Sequence, residues 1–135
     1  MPNILFDPTI EGLARTLTLH QQRHAVLASN LANVETPGYR ARELDFQDAL
    51  RQAFEETGAG AGEHVEGRAP IELESTGRAP LVVEDKAAPR RADGNTVDLD
   101  MQMAKLNANG TSYLALARIL GRRVALLRQA IDGTR

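Results

Sequence analysis

The sequence predicts a mainly α fold: two long terminal helices packed as a coiled coil, one short helix after a loop, and a small irregular or β-hairpin middle segment. Three observations carry this. Seam positions, mostly apolar, step by three and four in strict alternation toward each end of the chain, the period of a helix seam. Glycine and proline crowd the centre instead of the ends. Aromatic residues make up only 4% with no Trp, so large rings are too scarce to anchor a broad globular core.

The first helix is read from Ile10, Leu13, Leu17, His20, His24, Leu27, Leu31 and Val34, a heptad seam interrupted by two histidines. At 1.5 Å per residue it spans about 35 Å. Asn33 can terminate it, and Pro37-Gly38 suits the central pair of a type II turn. A short amphipathic helix follows, with Phe46, Ala49, Leu50, Ala53 and Phe54 on one face behind Asp45 as cap. Residues 57–96 are interrupted by Gly58, Gly60, Gly62, Gly67, Pro70, Gly77, Pro80, Pro89 and Gly94. Within them only residues 71–74 and 81–84 look strand-like, and these could pair with each other across 75–80.

The last helix is the longest, about 50 Å. Its seam is Leu99, Met103, Leu106, Gly110, Tyr113, Ala117, Leu120, Val124, Leu127 and Ile131, with Asp98 or Asp100 as N-cap and Gly133 as stop. Gly110 costs about 1 kcal/mol relative to Ala and marks a candidate break. Leu114, Leu116, Ile119 and Leu126 fall outside that seam, more apolar surface than one facing helix covers, so neighbouring chains are the expected cover. The organisation expected is therefore a helical core of residues 1–34 with 97–135, a loop and short helix at 35–56, and an irregular middle at 57–96.

Composition narrows the function classes. Net charge is -2 and the pI near 5.9, without the basic excess on which nucleic-acid binding draws. Cysteine is absent, which removes disulfides, thiolate metal sites and thiol nucleophiles. No apolar run approaches the roughly 18 residues of a membrane span, and the N-terminus has no basic region leading into a cleavable apolar stretch. His20 and His24 have metal-ligand spacing on a helix, but Gln21, Gln22 and Arg23 lie between them and no third ligand is evident. The stretch G-A-G-A-G at 58–62 lacks the Lys-Ser/Thr of a phosphate loop and reads as linker. His64, the remaining histidine, has no nucleophile elbow nearby. Arg118, Arg122, Arg123 and Arg128 read as a solvated basic face. The expectation is a non-enzymatic protein with no cofactor, no metal and no small-molecule substrate.

Asn30, Asn33, Thr36, Pro37, Gly38 and Tyr39 form more than an ordinary helix stop, for which one Asn or Gly suffices. The run L-A-S-N-L-A-N-V-E-T-P-G-Y-R-A-R at 27–42 resembles the A-N-x-A-N-x-x-T-P-G-Y signature of bacterial flagellar rod and hook proteins. The continuation E-L-D-F at 43–46 and D-G-N-T-V-D-L-D at 93–100 add to the likeness, which covers roughly residues 10–54 and 93–131. That resemblance implies a structural subunit of the axial rod of the flagellar basal body, at its membrane-proximal end and in the periplasmic space. It also implies export in unfolded form through the flagellar type III apparatus, then helical assembly with the terminal helices lining a tube.

The family's loop maps onto Asn30, Asn33, Thr36, Pro37, Gly38 and Tyr39, and its second motif onto Asn95, Val97 and Asp98. The seam residues expected to hold the helices are Leu13, Leu17, Leu27, Leu31, Leu106, Tyr113, Leu120, Val124, Leu127 and Ile131. Ile4, Leu5 and Phe6 form a short apolar cluster ahead of the first helix, and an uncleaved export signal is implied there. Implied partners are copies of the chain, other rod proteins, the base-of-rod adaptor and the export apparatus. The competing class is a soluble coiled-coil adaptor or chaperone that binds partner helices without forming a tube.

Overall fold

The computed structural model describes residues 8–57, 82–86 and 88–133, which run α1 (Pro8–Ala32), β1 (Arg42–Leu44), α2 (Phe46–Thr57), β2 (Val82–Glu84) and α3 (Leu99–Asp132). The chain is mainly helical, and the two terminal helices pack lengthwise and antiparallel. None of the described helices is long and apolar enough to cross a membrane.

α1 stops where Asn33 folds back on the last turn, donating to Ser29 O from both its backbone N–H at 3.2 Å and its side-chain amide at 2.8 Å. α3 starts on Asp98, whose carboxylate accepts from Met101 N–H at 3.1 Å. It ends at Gly133, which stays right-handed at φ -74° while its N–H bonds Gln129 O. The helix runs unbroken through Gly110 and Gly121. Packing against α1 beside Gly110, where Asn109 is buried, holds the backbone that glycine alone leaves loose.

Short α2 begins behind Asp45, whose carboxylate accepts from Asp48 N–H, and lays Phe46, Ala49 and Leu50 against Leu19 of α1. Phe46 also meets the His20 ring at a centroid distance of 4.7 Å and lies under the Arg23 guanidinium. β2 forms from the second expected strand piece, but it pairs antiparallel with β1, in the register Arg42↔Glu84, Glu43↔Val83 and Leu44↔Val82. β1 is a partner for that strand that the sequence did not suggest. Ala41 and Leu44 are buried at either end of the exposed Arg42 and half-buried Glu43, so residues 41–44 show no two-residue alternation by which the sequence could mark a strand. Residues 71–74 lie outside the described ones.

The interior mixes Leu19, Leu27, Ala41, Leu44, Ala49 and Val97 with an equal number of buried polar side chains: Thr16, His20, Asn30, Asn95, Gln102 and Asn109. That mixture displaces the expected seam. Leu27 is fully buried, and Leu13, Leu17, Leu31, Leu106, Tyr113, Leu120 and Leu127 are half-buried. His24 is exposed on α1, and on α3 Leu99 and Met103 are exposed because that helix turns Gln102 and Asn109 toward α1 in place of the apolar line. Val124 and Ile131 are exposed for a different reason. With His20 opposite Asn109 in antiparallel helices, Pro8 comes about level with Gly121, and α3 continues past the first described turn of α1.

Candidate functional site

Residues 33–41 and 91–97 lie far apart in sequence and are knitted together at the end of the helix pair. Tyr39 N–H donates to Thr36 O at 3.2 Å and Gly38 takes φ +73°, placing Pro37 and Gly38 at the centre of a type II turn. Gly38 N–H donates to Asp93 O and Thr96 N–H to Tyr39 O, both at 3.0 Å, and Ala41 N–H reaches Thr96 Oγ1 at 2.8 Å. Gly94 also has positive φ, +81°, and a Cβ on it would stand 3.5 Å from the Gly38 Cα. The two left-handed glycines thus lie close together, and at each it is the positive φ, not a lack of space, that favours glycine.

Asn95 closes this junction from inside. Its buried Nδ2 donates to Asn33 O, Val34 O and Thr36 O at 2.8–3.0 Å, and its Oδ1 accepts from Val97 N–H at 2.7 Å. One side chain therefore gathers the carbonyls of the turn that follows α1 and sets the entry to α3. Val97 is buried beside it, and Asp98 then caps α3.

Asn30, in the last turn of α1, has every hydrogen-bonding position filled. Oδ1 accepts from Arg42 N–H at 2.9 Å and the Tyr39 hydroxyl at 3.3 Å, and Nδ2 donates to Arg42 O at 2.6 Å and Gln102 Oε1 at 3.1 Å. Holding both N–H and C=O of Arg42, it acts toward β1 as a neighbouring strand would. Asn33, Thr36, Gly38 and Tyr39 join this cluster directly, and Pro37 joins it through the turn.

A line of alternating charge binds the sheet to the helices. Arg23 Nε meets Glu43 Oε1 at 3.0 Å, and Lys105 Nζ meets Glu43 Oε2 and Asp85 Oδ2 at 2.8 Å each. Burial of Lys105 works against its charge, but hydrogen bonds to Asp85 and Glu43 and their Coulomb attraction outweigh it and raise its pKa above the ordinary 10.5.

Of the residues expected to matter, the loop and second-motif sets are brought into one cluster, while the exposed ends of the seam, Val124 and Ile131, stand apart from it. Ile4, Leu5 and Phe6 lie outside the described residues. His20 and His24 do not converge on a ligand: His20 Nδ1 is engaged by Asn109 Oδ1 at 2.8 Å while His24 faces solvent. Sequence reasoning missed Thr96, Gln102, Lys105 and Asn109. The heptad spacing of Gln102 and Asn109, one residue behind Met103 and Gly110, was the available signal for two of them.

A family model described as flagella basal body rod protein matches residues 10–40. The chain is similar to the flagellar basal body rod protein FlgB of Salmonella typhimurium, 30% identical over 136 residues, covering 94% of this chain and 95% of the relative. Cereibacter sphaeroides FlgB is 32% identical over 120 residues, covering 89% and 91%. Bacillus subtilis FlgB is 26% identical over 129 residues, covering 96% and 97%.

Proposed function

The chain belongs to the FlgB family of flagellar basal body rod proteins, a structural family, and from that premise we propose that it builds the membrane-proximal end of the rod by helical assembly. It is a structural subunit of the basal body rod and works alongside other rod components. The observation carrying the finer reading is the division of labour along α3. One end is locked to α1 and the two loops, and the other leaves Leu114, Ile119, Leu126 and Ile131 more than half exposed.

In this reading residues 1–34 and 97–135 form the tube-building core, 35–56 aims β1 and α2 at a neighbour, and 57–96 is the variable insert. The assembly loop is Asn30, Asn33, Thr36, Pro37, Gly38 and Tyr39, braced by Asn95, Val97 and Asp98. The partners are further copies of the chain, adjoining rod proteins and the base-of-rod adaptor, and the export apparatus recognises Ile4, Leu5 and Phe6. A soluble adaptor is not favoured, because the similarity to rod proteins runs over nearly the whole chain.

Electron microscopy of basal bodies from cells carrying a tagged chain tests the assignment: the tag should decorate the base of the rod. A tag found only in the cytoplasm would sink it. Deleting residues 2–8 should hold the protein in the cytoplasm, and normal secretion of that deletion would remove the export role of the segment.

A further inference from the structure

Over its first three turns α3 presents a polar line to α1. Gln102 and Asn109 are buried there, while Leu99 and Met103, one position away on the helix surface, are 42% and 49% exposed. Hydrophobic burial alone would choose otherwise, since the line Leu99, Met103, Leu106, Gly110, Tyr113, Ala117 and Leu120 is the more apolar face. The two lines share Leu106, Tyr113 and Leu120, so they differ by a rotation of α3 about its own axis of about 50°.

Each polar residue at the contact has a specific partner on α1. Gln102 Oε1 accepts from Asn30 Nδ2 at 3.1 Å. Asn109 is gripped twice, with Oδ1 2.8 Å from His20 Nδ1 and Nδ2 donating to His20 O at 2.9 Å. This double grip fixes the ring tautomer with the proton on Nδ1 in the neutral imidazole. Rotating α3 toward its apolar line would strip Asn109 and Gln102 of these bonds and leave His20 and Asn30 short of partners, at a site where water cannot replace them.

We infer that these two polar pairs set the rotation of α3 and hold the Leu99–Met103 line out of the chain's own core. Polar contacts between buried helices are well suited to this, because they select one arrangement while adding little to stability. The inference deepens the rod reading and rests on it for its purpose: a subunit that buried this line internally would present a different α3 face to the rod. The rotation itself is a property of the single chain.

The absence of cysteine allows a direct test on the full-length protein. A single cysteine at Met103 is placed in the natural background and in the H20L/Q102L/N109L background, and its labelling by a soluble maleimide is timed. The natural background should label at the rate of an exposed thiol. The triple variant should keep its helix content and label about tenfold more slowly or less, because its thiol reacts only when the helix pair opens. Equal labelling rates would overturn the inference. Loss of helix content in the triple variant would overturn it as well, since that would make the pairs the support of the helices and not the selector of their rotation. Rod formation in cells is read separately: slowed labelling with normal rods would keep the rotation and remove its link to assembly.

Discussion

At the junction of residues 33–41 with 91–97 the buried side chains Asn30 and Asn95 are met from within the chain, whereas from Leu114 onward α3 turns Leu114, Ile119, Leu126 and Ile131 to solvent. The first region is finished by its own sequence. The second has the apolar surface of a core without the elements to cover it. The contrast teaches that this subunit carries its specificity at one end, in polar contacts that admit one geometry, and its adhesive surface at the other.

The contrast is most exposed to failure at Asn30. Asn30→Ala removes four hydrogen bonds and leaves the Arg42 backbone groups and Gln102 without that partner, at a cost of about 3 kcal/mol. Urea unfolding followed by circular dichroism should show it in the isolated chain. A change below about 1 kcal/mol would mean that the junction is not completed within the chain.

Gly38→Val should follow, at about 1 to 3 kcal/mol. An added Cβ meets nothing within 4 Å, so the cost is the positive φ and not a collision. The variant should be exported at near-normal levels yet build no rod, and cells should lack filaments. Normal rods would show that the turn does not position an interface.

A smaller effect comes from Lys105. Its pKa is raised in the folded chain, so its contribution is fully present below 10.5, the unfolded value, and is lost as pH climbs through the higher folded value. Unfolding midpoints measured at about pH 9 and about pH 11.5 should therefore fall further in the natural chain than in Lys105→Met. Parallel falls in both would deny the ion line a role in holding the sheet to α3.

The least change in the free chain is expected at Leu126, which is 63% exposed. Leu126→Asp should alter the stability of the isolated protein by no more than about 0.5 kcal/mol and still abolish rod assembly. Unfolding of the isolated variant would place the distal half of α3 inside the fold and erase the contrast.

Much of this was legible beforehand because its causes are local. The helix start at Asp98, the stop after Ala32 and the glycine of the Pro37-Gly38 turn follow from caps and turn chemistry that act over a few residues. The family likeness marked the two loop motifs, but their adjacency became visible only with Asn95 on the carbonyls of Asn33, Val34 and Thr36. What stayed hidden depends on partners distant in sequence. Apolar periodicity could not place Gln102 and Asn109 at buried positions, since a polar residue is tolerated there only when Asn30 or His20 arrives to meet it. For the same reason β1 escaped notice: three residues, R-E-L, become a strand only when β2 and the Asn30 amide flank them.

The bonds that complete α1 also impose an order in time. His20 waits for a residue 89 positions later, Asn30 for one 72 later, and the carbonyls of Asn33 and Thr36 for Asn95. Closing loops of that length comes at an entropic cost before any contact rewards it, and such topologies fold slowly. A chain that appears N-terminus first, from a ribosome or from any narrow channel, must therefore present α1 with its polar face unmatched until nearly all of the sequence has emerged. For most of its passage the subunit has no folded state to fall into.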